Sequence, residues 1–151
     1  MSTLSDLLAE HTDLPGDSVD HLQRVVGEWQ LLADLSFADV LLWVGTDDVG
    51  SSPDAKVLCV AQCRPTTAPT AFTEDMVGTI VSEFEHPSVI DSLLTREIVR
   101  GEGATSESVP VRCSEHVIAV LTRDTNPTQL RPPSALEIAY RECADDLCRM
   151  I

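Results

Sequence analysis

The sequence predicts an α+β domain, an antiparallel sheet of about five or six strands with the N- and C-terminal helices packed on one face. Apolar residues recur at helical spacing near both ends of the chain, short apolar runs of strand length lie between them, and loops rich in turn-forming residues separate those runs. The chain has 151 residues, of which 43% are hydrophobic. This is enough to bury one core without disulfides or a structural metal.

Two helices are predicted in the N-terminal quarter of the chain. A short amphipathic turn begins near Leu4 and ends before the breaker at 14–16. A longer helix is predicted over about 18–36, with Asp17 or Ser18 as its N-cap. Its apolar stripe recurs every three or four residues and consists of Val19, Leu22, Val26, Trp29 and Leu32.

Two strands are predicted next, at 40–44 and 57–61, on either side of a turn-rich loop at 45–54. Both runs are apolar throughout, so their side chains are hydrophobic on both faces of a strand. This pattern is typical of strands at the centre of a sheet with cover on each side.

The middle of the chain has weaker patterns. Residues 76–81 are compatible with a helix or a strand, and 101–107 form a predicted loop rich in Gly, Ser and Thr. A helix is predicted over 87–94, started by His86-Pro87, because Pro suits the first helical position.

A β-hairpin is predicted after this segment, with strands at 109–113 and 117–121 and a turn at 114–116. The resulting order is helix, strand, strand, irregular insertion, hairpin and helix, which is the GAF/PAS-like α+β arrangement. In this arrangement the middle segment covers the sheet face opposite the two terminal helices, where it could enclose a ligand.

Residues 134–151 predict a final helix, with Ser134 as N-cap and Glu137 at the capping-box position. Its apolar seam has the 3.5-residue period of a coiled coil. The seam consists of Leu136, Tyr140, Cys143, Leu147 and Met150. We expect a dimeric, signal-passing helix, and packing of the same seam against the domain is the alternative.

These elements predict a sensor domain at 1–125, a linker at 126–133 and the start of a signalling helix at 134–151. Because the seam continues to the last residue, we expect the chain to be one domain of a longer protein. The N-terminus lacks the features of a signal peptide, and no apolar run reaches the roughly 18–20 residues that span a bilayer. The sequence therefore predicts a cytoplasmic protein.

The charge balance restricts the partners. Ten basic side chains against 25 acidic ones give a net charge of −15. Binding to a nucleic-acid backbone depends on Lys and Arg neutralising phosphates, and anionic membranes attract basic segments. We therefore expect no direct contact with nucleic acid or membrane.

Nucleotide-binding and hydrolase motifs are absent: the sequence has no GxxxxGK[ST], GxGxxG, GxSxG or HExxH. The four histidines are scattered and fit surface positions. Catalysis by this chain is not expected, and the sequence assigns no cofactor.

The cysteines offer one candidate constellation, formed by Cys59 and Cys63, with Cys113 on a predicted neighbouring strand as a third thiol. In a regular strand Cys59 and Cys63 point to one face but lie roughly 13 Å apart. That distance excludes a disulfide or a shared metal unless the strand bulges or bends near Gln62. Arg64 is expected to lower the pKa of Cys63. The alternative is that these thiols only pack in the core.

Several segments resemble the start of the PdtaS-type sensor histidine kinases of actinobacteria. The specific part is 7–12 (LLAEHT), 14–16 (LPG) and 25–39 (VVGEWQLLADLSFAD), and weaker likeness continues through 60–65 (VAQCRP), 77–79 (VGT) and 109–123. The resemblance covers residues 1 to about 125. It implies a GAF-like input domain at the N-terminus of a soluble kinase, with the family's suggested sensor cysteines at Cys59 and Cys63.

Kinases of this type continue into a PAS-like domain, a histidine phosphoacceptor domain and an ATP-binding domain. They act with a response regulator that carries an RNA-binding antitermination module. The resemblance and the seam of the final helix together predict a homodimeric sensory domain that receives a small-molecule, metal or redox signal and relays it to kinase domains. Two alternatives are a structural dimerisation module with a vestigial, empty pocket and a free-standing GAF-type sulfoxide reductase.

Overall fold

Six antiparallel strands and four helices form from the residues that the computed structural model describes, which are 3–46, 56–82, 84–101, 106–126 and 132–151. In chain order the elements are α1 (Leu4–His11), α2 (Gly16–Ser36), β1 (Asp39–Gly45), β2 (Lys56–Cys63), β3 (Ile80–Ser82), α3 (Pro87–Thr95), β4 (Val99–Arg100), β5 (Ser106–Cys113), β6 (His116–Asp124) and α4 (Ala135–Met150). The sheet order is β3-β2-β1-β6-β5-β4. The predicted α+β fold is confirmed.

The sheet separates two hydrophobic clusters. On the face covered by α1, α2 and α4, here called the helix face, the core includes Leu8, Leu22, Leu32, Val40, Leu42, Leu121 and Ala144. On the opposite face, here called the α3 face, it includes Leu41, Trp43, Val57, Val89, Ile90 and Val120. β1 and β2 are buried on both sides, as their continuous apolar runs predict.

The first two helices confirm the N-terminal prediction except at one cap. α2 begins at Gly16, after Pro15, so the prediction of Asp17 or Ser18 as N-cap was wrong. Asp17 lies in the first turn, where its carboxylate interacts favourably with the helix dipole. The C-cap of α2 is Phe37, which adopts a left-handed conformation with φ 54°.

The hairpin is tighter and longer than predicted. Its turn consists of Ser114 and Glu115, whose positive φ angles of 50° and 74° suit a two-residue hairpin loop. His116, predicted to lie in the turn, pairs with Cys113 as the first residue of β6. The turn is therefore one residue shorter than the pattern indicates.

β5 begins at Ser106, so the loop predicted over 101–107 was wrong for its last two residues. Ser106 pairs with Asp124 and Glu107 with Arg123, which extends the ladder despite the polar composition of this segment. The ambiguous segment 76–81 ends in β3, an edge strand paired with β2.

The remaining loop predictions fall largely outside the described residues. These are most of the loop predicted at 45–54, positions 102–105, and most of the linker predicted at 126–133. None of the described helices is long and apolar enough to cross a membrane.

The other predicted helices are confirmed. α3 begins at Pro87, directly after His86. α4 begins after Ser134, whose side-chain oxygen accepts the backbone N–H of Glu137 at 3.2 Å. α4 packs on the helix face through Ala144 and Cys148, which are buried.

Candidate functional site

A β-bulge in β2 determines where the candidate cysteines point. Leu42 of β1 lies opposite Ala61, whereas the next residue, Trp43, lies opposite Cys59, so Val60 is an extra residue without a partner. Cys59 therefore belongs to the cluster on the α3 face and Cys63 to the cluster on the helix face. The expectation that both thiols share one face was conditional on a regular strand, and β2 is not regular at Val60.

Cys59 is sealed within the core. Its side chain is fully buried, and its Sγ donates to the carbonyl oxygen of Ala61 at 3.5 Å. Burial raises the pKa of the Cys59 thiol to about 12. This thiol is therefore protonated and a poor nucleophile at neutral pH.

Cys63 is 7% exposed and lies beside α2. Its Sγ donates to Gln30 Oε1 at 3.1 Å. Burial, followed by the negative charges of Asp34 and Asp39, raises the pKa of this thiol. The prediction that Arg64 lowers it was wrong, because the Arg64 guanidinium instead donates to oxygens in the loop at 70–74.

Cys113 does not complete a thiol cluster. The prediction that it lies on a strand neighbouring β2 was wrong, because β1 and β6 lie between β2 and β5. At about 4.8 Å per strand, that places β5 roughly 14 Å from β2. Among the described residues, no group of three or more His, Cys, Asp or Glu side chains could hold a metal ion.

Thiol reactivity should follow this burial. We expect Cys59 to react with iodoacetamide at pH 7 roughly 10³-fold more slowly than an unhindered thiol, whose pKa is about 8.5, because so little of it is thiolate. Exposed Cys143 on α4 provides an internal reference. Peptide-resolved mass spectrometry after timed alkylation measures both rates, and concentrated guanidinium should make them similar. Equal rates in the folded chain would contradict the assigned environment of Cys59.

A polar cavity of about 570 Å³ lies on the α3 face, where α3 begins and where β4, β5 and β6 meet. Its charged and hydrogen-bonding walls include His86, Ser88, Asp91, Arg100, Ser106 and Asp124. It brings together residues that are up to 40 positions apart in the chain, from 84 to 124. The order of the strands in the sheet brings these residues together.

Asp124 is the central acid of this cavity. Its pKa is raised chiefly by burial; the neighbouring Ser106 and Thr122 hydroxyls and His86 lower it, and the charge of nearby Asp39 adds to the rise. Thr122 Oγ1 also accepts the indole N–H of Trp43 at 3.0 Å. Because Thr122 and Asp124 are two positions apart in β6, they face the same side of the sheet, and Trp43 thus contacts a side chain next to the cavity carboxylate.

Two further groups organise the same end of the sheet. The ring of His86, the residue that precedes α3, lies 5.5 Å from the ring of Trp43. Asp39 is fully buried opposite Asp124 in the β1–β6 ladder and accepts the backbone N–H of Ala71 at 2.9 Å. It thereby ties the loop at 70–72 to the start of β1.

Asp124 should leave a signature in the pH dependence of stability. A carboxyl whose pKa is higher in the folded than in the unfolded state favours folding at low pH, and this contribution is lost as the pH rises through its folded pKa. Asp124→Asn removes the titration. The variant should therefore gain stability relative to the parent as the pH rises from about 4 towards 7. Urea unfolding across this range measures the difference, and a constant or shrinking difference would refute the raised pKa.

Sequence reasoning missed Trp43, His86, Asp39 and Asp124 as site residues. The sequence feature that could have indicated the two acids is their position: one Asp comes directly before the apolar run at 40–44 and another comes just after the run at 117–121. Charged residues at the ends of buried strands indicate a site only when those ends are known to be adjacent. Here β1 and β6 are neighbours, although 85 positions separate the two acids.

The class that this fold defines is the GAF domain. The GAF-B domain of DevS from Mycobacterium smegmatis superposes with a TM-score of 0.51 and 15% identity, over 88% of this chain and 91% of that one. At this identity the likeness shows the fold alone. More specifically, the family model of the GAF domain of the histidine kinase PdtaS matches residues 4–144, and the chain belongs to this family.

Longer relatives agree with this assignment. The chain is 50% identical to the sensor histidine kinase PdtaS of Mycobacterium tuberculosis (strain ATCC 25618 / H37Rv) and 48% identical to that of Mycolicibacterium smegmatis. All of the chain is covered, but only 31% of each relative. A solved sensor region of a sensor histidine kinase superposes with a TM-score of 0.81 and 50% identity, over 99% of this chain and 51% of that one. The chain is thus a member of the GAF-domain family of the PdtaS sensor histidine kinases and spans about a third of these curated relatives.

Proposed function

We propose that this domain is the sensory input of a cytosolic two-component kinase, and that it receives a small-molecule signal in the cavity on the α3 face and relays it through α4. The observation that carries the proposal is the cavity itself. Its volume of about 570 Å³ lies within the 300–1,000 Å³ typical of ligand sites. Its polar group His86 contacts the core residue Trp43, whose indole N–H binds Thr122 beside Asp124.

The charges around the cavity favour a neutral or cationic ligand. Among the described lining residues, Arg100 is the only cation, against Glu85, Asp91 and Asp124. The arginines that would favour an anion bind elsewhere: Arg64 in the loop at 70–74, Arg112 on the Arg96 carbonyl and Arg123 on the helix face. An anionic ligand such as a cyclic nucleotide would have Arg100 alone to neutralise it.

The relay is proposed to run through the seam of α4 into a homodimer and onward to the kinase domains. Leu136 and Met150 of the seam are 60% and 81% exposed, and Cys143 is exposed too. Tyr140 contacts Phe37, with ring centroids 6.4 Å apart, and Leu147 packs partly against the core. Three of the five seam residues thus remain available to a second copy.

The wider architecture is part of the same proposal. It divides the chain into a sensor domain at 1–125, a linker at 126–133 and the start of a signalling helix at 134–151. PAS-like and kinase domains would follow in the same chain. The proposed partner is a response regulator with an RNA-binding antitermination module, so the sensor domain itself would touch neither nucleic acid nor membrane. The support is the match to longer sensor histidine kinases.

A thiol input is the second candidate. Of the three sensing cysteines considered, Cys63 lines a surface cavity of about 630 Å³ together with Gln62, Arg64 and Asp75. Cys59 is sealed on the other face, and Cys113 lies at the end of the β5–β6 hairpin. A metal or redox signal would therefore meet Cys63 first.

Binding and autophosphorylation assays on the full-length kinase test both inputs. The probes are a panel of amines, amino acids and cyclic nucleotides, together with copper, zinc and nitric oxide. We expect an amine or a neutral compound to stabilise the protein, by about 2.7 kcal/mol at 100 times its Kd. Asp124→Ala should weaken that binding at least tenfold, while Cys63→Ser should leave it unchanged.

The outcomes separate the candidates. A response that survives Asp124→Ala but disappears in Cys63→Ser refutes the cavity input and supports the thiol input. If no probe changes stability or autophosphorylation, the vestigial-pocket alternative is favoured. Sedimentation of the domain with and without residues 134–151 tests that alternative in turn, because a monomer in both forms excludes a dimerisation module.

A further inference from the structure

The ends of β5 and β6 carry the cavity on one face and the seat of α4 on the other. Ser106 pairs with Asp124 and Glu107 with Arg123. Side chains alternate between faces along a strand, so Ser106 and Asp124 line the cavity while Glu107 and Arg123 point to the helix face. In each strand, one residue therefore faces the proposed signal site, and its neighbour in the chain points to the helix face, where α4 packs.

Arg123 holds three elements together on the helix face. Its side chain is only 10% exposed. Nη2 donates to Asp145 Oδ1 of α4 at 2.7 Å and to Glu107 Oε1 of β5 at 2.8 Å, and Nη1 donates to Ser36 Oγ at the end of α2 at 3.1 Å. A planar guanidinium with several fixed donors holds such partners in one geometry.

The part of α4 that Arg123 holds is also the part that packs on the core. Ala144 and Cys148 flank Asp145 along the helix, and both are buried. A displacement of Arg123 therefore acts on the turn of α4 that is in contact with the sheet.

We propose that Arg123 couples the cavity to α4. Asp124 and Arg123 are consecutive in β6, so a ligand that displaces the Asp124 backbone also displaces Arg123 and, through Asp145, the adjoining turn of α4. α4 then has two arrangements, with Asp145 held or released, and a ligand can favour one of them only by binding it more tightly. This inference rests on the proposed role of the cavity as the signal site.

Hydrogen exchange of the α4 amides in the full-length kinase, followed by mass spectrometry, tests the coupling. Asp124→Asn alters the cavity face, and we expect it to change α4 exchange rates at least threefold. In an Asp145→Asn background the same substitution should change them less than 1.5-fold. Asp146→Asn is the matched control, because Asp146 is the next residue of α4 and pairs with Arg149 instead. In that background the threefold response should remain.

Two results would overturn the inference: an unchanged α4 in Asp124→Asn, or a threefold change that persists in the Asp145→Asn background. Exchange in α2 peptides verifies that every variant is folded. The outcome is distinguishable from that of the proposed function. A ligand that binds the cavity while α4 exchange stays constant refutes the coupling alone, whereas intact coupling without any binding ligand refutes the proposed signal site alone.

Discussion

Replacing Trp43 with alanine is expected to lower the free energy of unfolding by about 3–5 kcal/mol, the range for truncating a buried aromatic side chain. Trp43 is the largest of the fully buried side chains and lies at the centre of the α3 face. The substitution removes its packing there together with its contacts to His86 and Thr122. Denaturant unfolding monitored by circular dichroism measures the loss.

Trp43→Phe is the matched control. Phenylalanine keeps an aromatic ring in the core but removes the N–H that binds Thr122, so we expect a smaller loss, of which the hydrogen bond accounts for about 1 kcal/mol. Because Thr122 lies beside Asp124 on the same face of β6, the Phe variant should alter ligand binding in the cavity more than its small effect on stability suggests. Equal losses for Ala and Phe would show that packing is not the main contribution of Trp43.

Replacing Arg123 with methionine is expected to lower the free energy of unfolding by about 3 kcal/mol, because removing one partner of a buried ion pair leaves the other charge uncompensated. Glu107 is the charge left most deeply buried, and its only remaining partner among the described residues is the exposed Arg100 at 3.7 Å. Asp145 is 39% exposed, so water screens part of its charge, and we therefore expect the lower end of the range for buried pairs.

Arg149→Met provides the comparison for that prediction. Arg149 pairs with Asp146 on the exposed side of α4, and such surface pairs contribute about 0–1 kcal/mol. Adding Glu107→Gln and Asp145→Asn to Arg123→Met should recover part of the lost stability, since the uncompensated charges are then gone. If Arg123→Met costs no more than Arg149→Met, Arg123 does not hold α4 on the sheet.

The helices and strands were predictable because their patterns depend on local spacing. The stripe of α2 and the apolar runs of β1 and β2 report burial directly, and Pro87 and Ser134 identify where α3 and α4 begin. The start of β5 was harder to predict, because Ser106 and Glu107 are polar and join the sheet through pairing with Asp124 and Arg123.

The site could not be predicted because it depends on register and on sheet order. The bulge at Val60 leaves no trace in composition, since Val60 and Ala61 are both apolar and fit either face of a strand. The face to which Cys63 points can be deduced only once its partner residue in β1 is known. The cavity likewise requires β5, β6 and the start of α3 to meet, and this long-range arrangement is absent from any short stretch of sequence.

Because of the bulge at Val60, Cys59 and Cys63 lie in different chemical environments on the two sides of the sheet. Cys59 and Cys63 are four positions apart, yet a reagent that reaches one of them has to pass through a hydrophobic layer to reach the other. In a regular strand of the same length the two thiols, four positions apart, would lie on the same side. The irregular pairing at one residue therefore decides that these thiols encounter separate chemistry.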